Sequence, residues 1–309
     1  MPRRNLLLCF DAFGTLFSPK PSVAEQYTAI AHQCGLTGFT TSQVQSSLGK
    51  AISNQLRIHP NYGKASGMGA EKWWTNVIND TFLPLTNTTS LPASLAPSLL
   101  RRFESSEGYA IADPDLPSIL SQLKNRPHSP FNSIIIGVIT NSDDRVPGIL
   151  SSLGFNVSPL RFGSPPPADA PNTKEYQIDF HCMSYDVGVG KPSKHIFASA
   201  ELMAEGVLSS HLKEKPNGES KETTPWLKVC VGDEFEKDVV GSTNAGWNSV
   251  LVGPSEEAGD LKELGLMREL DDVMGSSVDE VFTQSNDVGS RLVSVRADTI
   301  GAFLRWLNR

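Results

Sequence analysis

Four short stretches of the chain carry side chains able to act on an anionic substrate. Asp11 ends the apolar run Leu6-Leu7-Leu8-Cys9-Phe10 and is followed by Gly14. Thr140 and Asn141 end a second run, Ile134-Ile135-Ile136-Gly137-Val138-Ile139. Lys191 follows Val187-Gly188-Val189-Gly190 and precedes Pro192. Asp233 ends Val229-Cys230-Val231-Gly232, and Asp238 lies five residues further on. A carboxylate at the end of such a run serves as a nucleophile, as a ligand of a hard cation, or as both. The Thr140 hydroxyl and the N–H groups of Asn141 and Ser142 can donate to a phosphate or carboxylate oxygen, and Lys191 adds one positive charge. Each stretch also has a plainer reading: Asp11 caps a turn, Thr140 and Asn141 lead into a helix cap, Lys191 is solvated, and Asp233 and Asp238 form an acidic helix start favoured by the dipole.

The elements that must position these groups follow from the apolar pattern. Short continuous apolar runs bounded by turn signals read as buried strands of a parallel sheet. Ligands of open α/β sheets bind at the carboxyl ends of such strands, where Asp11, Thr140, Asn141 and Asp233 sit, and Gly14 lets the backbone turn sharply after Asp11. Residues 248–253 read as a fifth core strand. Helices are predicted over 22–34, 41–57, 70–81 and 92–106, then over 116–124 and 193–203, with an amphipathic tail over 297–307. The separation of the first two stretches is too long for one crossover helix. The predicted fold is therefore α/β: a doubly wound parallel sheet built from residues 1–18 and 110–309, with an α-helical domain inserted at 19–109. The glycine-rich segment 61–69 reads as a connection or a lid.

The order Asp strand, Thr-Asn strand, Lys-Pro, Gly-Asp-x₄-Asp resembles the four signature motifs of the haloacid dehalogenase superfamily of hydrolases, over roughly residues 5–18 and 110–253. Trp73-Trp74 and Gly108-Tyr109 resemble the subfamily named for haloacid dehalogenase-like hydrolase domain-containing protein 3. The resemblance implies Asp11 as nucleophile, with Thr140 and Lys191 as its catalytic partners and Asn141 and Gly14 at substrate-binding positions. It implies Mg²⁺ held by Asp11, the Phe13 carbonyl, Asp233 and Asp238, the last through water or by positioning Lys191. The helical insertion would then be a cap that closes over Asp11, and the substrate a small phosphorylated metabolite. One position departs from the pattern. Most phosphatases of the superfamily carry a second aspartate, an acid/base, where this chain has Phe13. Losing such a group lowers a rate by about 10²–10⁴-fold. The implied activity is thus a weakened phosphate-ester hydrolase. The alternatives are a binding or scaffold protein without turnover and, less favoured, a 2-haloacid dehalogenase, in which an aromatic also stands at this place but whose fourth motif differs from Gly232-Asp233. Asp143 or Asp144 is a candidate replacement acid, and Arg57 a candidate carboxylate anchor.

Composition bounds the partners. The chain has 309 residues, 39% of them hydrophobic, and a formal net charge of −7, which gives no nucleic-acid footprint. No 18-residue apolar segment is present, so no membrane span is expected. The cysteines Cys9, Cys34, Cys182 and Cys230 form no short-spaced motif and fit a reducing compartment. Met-Pro-Arg-Arg leads at once into the first strand, and the expected location is the cytoplasm or nucleus, with organelle import left open. Proline-rich 164–172, charged 209–225 and mixed 254–290 read as surface insertions, solvated or available to a protein partner; helix is expected around 260–270. Trp73 and Trp74 point to different sides of one helix, and Arg101-Arg102 reads as solvated.

Overall fold

The computed structural model describes residues 3–165, 176–213, 224–254, 267–282 and 292–309. The chain divides into two compact units, one made of Met1–Phe17, Ile111–Asn141 and Gly154–Arg309, the other of Ser18–Ala110 and Ser142–Leu153. The sequence reading assigned residues 142–153 to the sheet-bearing part; they cluster instead with the helices of the insertion. The strands in chain order are β1 (Arg4–Phe10), β2 (Phe17–Pro19), β3 (Tyr109–Ile111), β4 (Phe131–Thr140), β5 (Phe180–Met183), β6 (Trp226–Gly232), β7 (Asn248–Val252), β8 (Met267–Glu269) and β9 (Ser294–Ala297).

Seven strands form one sheet in the order β5-β4-β1-β6-β7-β9-β8, and every pairing is parallel. β1 lies inside it, with Phe10 beside Val138 on one flank and Val231 on the other. Leu6 to Phe10 are all buried, which is why this strand shows no polar alternation: both of its faces are covered. Leu7 and Cys9 pack into one cluster with Ile135, Phe180, Cys230 and helix residues Ile196, Phe197 and Ala200. Leu6, Leu8 and Phe10 point the other way, by the pleat. From β1 the chain goes outward through β4 and β5, then returns to the opposite flank through β6 and β7. The reversal puts a topological switch point between β1 and β6. Strands β2 and β3 pair as a separate two-stranded ribbon.

The helical unit holds α1 (Val23–Gln33), α2 (Thr41–Ile58), α3 (Ala70–Phe82), α4 (Leu95–Arg102) and, after the core helix α5 (Leu116–Lys124), α6 (Val146–Ser152). Capping boxes start the first two: the Ser22 hydroxyl accepts from Glu25 N–H while the Glu25 carboxylate accepts from Ser22 N–H, and Thr40 with Gln43 repeats this. α4 is shorter than predicted, because the chain turns after Phe103 through Ser105-Ser106-Glu107-Gly108. Residues 61–66, within the segment read as a connection or a lid, form short 3₁₀ turns broken by left-handed backbone at Tyr62 and Gly63. Trp73 is buried in this unit while Trp74 is half-buried. Arg102 is half-buried too, donating from Nε to Gln26 Oε1, whereas solvent was expected on both arginines.

In the core unit, α7 (Ser184–Val187) and α8 (Lys194–Lys213) follow β5. The tail helix begins at Ile300, since Ala297 still belongs to β9, and runs to Leu307. Helix was expected around 260–270; residues 260–266 lie outside the described residues, and Met267–Glu269 is a strand. Of the expected insertions, 166–172 and 214–223, and much of 254–290, likewise fall outside them, while residues 209–213 form the end of α8. Among the described residues no helix is long and apolar enough to cross a membrane.

Candidate active site

The carboxyl ends of β4, β1 and β6 lie side by side, so Thr140, Asp11 and Asp233 leave the sheet at one edge. Asp11 extends the ladder by one bond, its N–H donating to Val231 O at 2.8 Å. Its side chain is buried, and Oδ1 accepts from the Ala12 N–H at 2.8 Å. Lys191 Nζ lies 3.0 Å from that same oxygen and 2.6 Å from Asp238 Oδ1. Among the described residues, Asp11 Oδ2 accepts no hydrogen bond. The ammonium is enclosed, and burial alone would lower its proton affinity, but Asp11 and Asp238 outweigh burial and raise it.

Asp238 is fully buried. Its second oxygen accepts from Glu234 N–H at 3.0 Å, and the segment Phe235–Val240 that carries it winds as a π-helix, a form frequent at functional sites. Burial first, then the nearby Asp11, push the Asp238 carboxyl up against the opposing pull of Lys191. Asp233 is half-buried and accepts from the Thr15 hydroxyl at 2.9 Å; burial and Asp11 raise it also, with Thr15 opposing.

Two glycines make this convergence sterically feasible. Gly14 has φ +81°, and a Cβ there would stand 2.1 Å from Asp233 Oδ2. A Cβ on Gly232 would stand 2.1 Å from Asp238 Cγ. Gly14, expected among the substrate-binding positions, makes room for the approach of Asp233. Thr15 and Gly232 carry structural parts of the site that the sequence reading left unassigned. A glycine set directly before an acidic residue was the available signal for Gly232.

Asn141, expected at a substrate-binding position, has a further task through its side chain. Its Oδ1 accepts from Lys191 N–H at 2.6 Å, and its Nδ2 donates to Lys191 O at 2.8 Å. The amide clamps the backbone of the lysine, so the end of β4 fixes the loop that delivers Nζ. Thr140 is buried at the last position of β4, beside Met183. Phe13 is half-buried, its ring set edge-on against Phe17 at 4.8 Å between centroids.

Asp11, Asp233 and Asp238 offer carboxylate oxygens within 4.8 Å of one another. Lys191 pairs with Asp11 and Asp238, and one ammonium against three ionised carboxylates leaves an excess of two negative charges. A hard divalent cation with oxygen ligands matches that excess, so the donor set fits Mg²⁺.

A second polar cluster belongs to the helical unit. Asp143 is buried; Arg145 holds both of its oxygens, with Nε to Oδ1 at 2.8 Å and Nη2 to Oδ2 at 2.7 Å. Trp74 Nε1 donates to Oδ2 at 2.6 Å, and the guanidinium carbon lies 4.9 Å from the centre of the Trp74 ring. Burial opposes the charge of Asp143, but Arg145, by hydrogen bonds and charge, and then Trp74 hold its carboxyl below the usual range. Both oxygens of Asp143, one of the two candidate acids, are thus engaged within the helical unit. Arg57, the candidate carboxylate anchor, is exposed and donates to Asn54.

A parallel α/β sheet with an acidic cluster and a lysine at its switch point defines a class of hydrolase-like folds. The chain belongs to the haloacid dehalogenase-like hydrolase family, whose model matches residues 6–203. It is 28% identical over 244 residues to haloacid dehalogenase-like hydrolase domain-containing protein 3 of Danio rerio, covering 79% of this chain and 83% of that one. The Homo sapiens protein of the same name is 26% identical over 252 residues, covering 80% and 82%. Among solved structures, the HAD-hydrolase YfnB from Bacillus subtilis, bound to magnesium, matches with a TM-score of 0.50 and 14% identity, covering 99% of this chain and 100% of that one. That last likeness concerns the fold.

Proposed function

We propose that this protein is a Mg²⁺-dependent hydrolase of phosphate esters that works through an aspartyl-phosphate on Asp11 and turns over slowly. The observation that carries the reading is the position of Lys191 Nζ between Asp11 and Asp238, with Asp233 closing the carboxylate cluster. Asp11 Oδ2, the oxygen left without a hydrogen bond, attacks phosphorus as the ester P–O bond breaks. Lys191, the Thr140 hydroxyl and the Asn141 N–H hold the transferring oxygens where negative charge gathers. Mg²⁺, which hydrolases of this family generally use, would be held by Asp11, Asp233 and the Phe13 carbonyl. Asp238 keeps Lys191 in place and has a lone pair left for a cation-bound water. When bound, the ion supplies charge neutralisation. Residues 19–109 act as a cap that excludes water and selects a small phosphorylated metabolite.

Phe13 has no proton to give, and this favours the second reading, a binding protein that keeps the fold without turnover. Trifluoroberyllate, a mimic of the aspartyl-phosphate, separates the two. Bound with Mg²⁺ present, absent without it and lost in Asp11→Asn, it supports the hydrolase. No binding under any of these conditions supports the binding protein.

A further inference from the structure

In the core unit, the described groups beside Asp11 that could move a proton already have other tasks. The Lys191 ammonium is shared between two carboxylates. Asp238 is fully buried and both of its oxygens accept hydrogen bonds. The Thr15 hydroxyl donates to Asp233. The side chain two residues after Asp11 is a phenyl ring packed on Phe17. Such a site handicaps both halves of a phosphatase cycle. Departure of an alkoxide needs an acid, and attack of water on the phosphorylated aspartate needs a base.

We infer that the core accepts phosphoryl groups from acyl phosphates, whose leaving group departs as a stable carboxylate, and that the resulting phospho-Asp11 persists rather than being promptly hydrolysed. The inference rests on the phosphoryl-transfer reading above. In the first step the bond from Asp11 Oδ2 to phosphorus forms, the P–O bond to the acyl group breaks, and its electron pair leaves on the carboxylate; no proton moves. In the second, water attacks phosphorus and the P–O bond to Asp11 breaks. The carboxylate returns, one water proton goes to solvent and the other stays on the phosphate released. Only this second step lacks its catalyst. Phosphorylated Asp11 is then the resting form whenever an acyl phosphate is present, and the protein is a phosphoryl store or relay more than a scavenging phosphatase.

The test is intact-mass spectrometry of the full chain with Mg²⁺ and either acetyl phosphate or glycerol phosphate. The expected result is one phosphoryl group added by acetyl phosphate, mapped to Asp11 by hydroxylamine trapping and absent in Asp11→Asn. Glycerol phosphate should label at least about 100-fold more slowly. After removal of the donor, the label should decay at least about 100-fold faster in Phe13→Asp than in the wild type. The donor comparison uses the wild type alone, so it holds even if Phe13→Asp fails to fold. Equal turnover of both donors without a lasting label overturns the inference and leaves the phosphatase reading standing. Trifluoroberyllate binding without any labelling by acetyl phosphate overturns it as well. Neither labelling nor trifluoroberyllate binding overturns the inference together with the reading beneath it.

Discussion

At the scale of single residues, the site depends on side chains that are absent as much as on those present. Asp233 can stand beside Asp11 because residue 14 has no Cβ, and Asp238 can reach Lys191 because residue 232 has none. Gly14→Ala adds both a steric conflict with Asp233 and a backbone strain at φ +81°, together costing about 1–3 kcal/mol. Thermal unfolding with and without Mg²⁺ should show a lower midpoint and loss of the shift that the ion produces. Gly232→Ala, whose backbone is unstrained, should lose the Mg²⁺ shift while moving the metal-free midpoint less than Gly14→Ala does. Asn141→Ala removes two hydrogen bonds to the Lys191 backbone, each worth about 1 kcal/mol. A roughly tenfold weaker hold on trifluoroberyllate, measured by calorimetry, is expected, with Lys191 itself untouched.

At the scale of elements, α3 and the segment 142–153 are tied by one buried ion pair. Trp74 on α3 donates to Asp143, and Arg145 bridges Asp143 to the carbonyl of Phe103. Removing one partner of a buried pair leaves the other uncompensated, so Arg145→Met should destabilise the protein by about 3–5 kcal/mol in urea unfolding followed by circular dichroism. Trp74→Phe loses one hydrogen bond to a charged acceptor and should cost about 1–3 kcal/mol. These long-range partners show what sequence reading can and cannot reach. The strands ending in Asp11, Thr140 and Asp233 were legible because fully buried parallel strands leave a continuous apolar signature. The short edge strand Met267–Glu269 has none, since Arg268 and Glu269 are only half-buried. The clamp of Asn141 on Lys191 and the pairing of Trp74 with Asp143 join residues 50 and 69 positions apart, and no local pattern encodes a partner at that distance.

For the molecule as a whole, His181 gives a handle on acid stability. It lies on β5, fully buried, and among the described residues neither ring nitrogen has a hydrogen-bond partner. Burial lowers its pKa from 6.5 to about 4, helped by Arg161 and opposed by the Leu160 carbonyl. The ring is neutral in the folded chain, while the unfolded chain takes up the proton below pH 6.5. Stability is therefore fully present above pH 6.5 and declines as the pH falls toward 4, by about 3 kcal/mol in total. Denaturant unfolding at pH 7 and pH 5 should show this loss in the wild type. In His181→Leu the part of the loss due to this residue, about 2 kcal/mol over that interval, should be gone.

The grouping of Ser142–Leu153 with the helices has a practical outcome for anyone wishing to dissect the protein. The polypeptide passes between its two units four times, at 17/18, 110/111, 141/142 and 153/154. Deleting only the long insertion would strip Val146, Ile149 and Leu150, all now shielded from water, of the neighbours they fold with. Grafting the helical part onto a related scaffold, or swapping it for another, must carry both pieces across as a set.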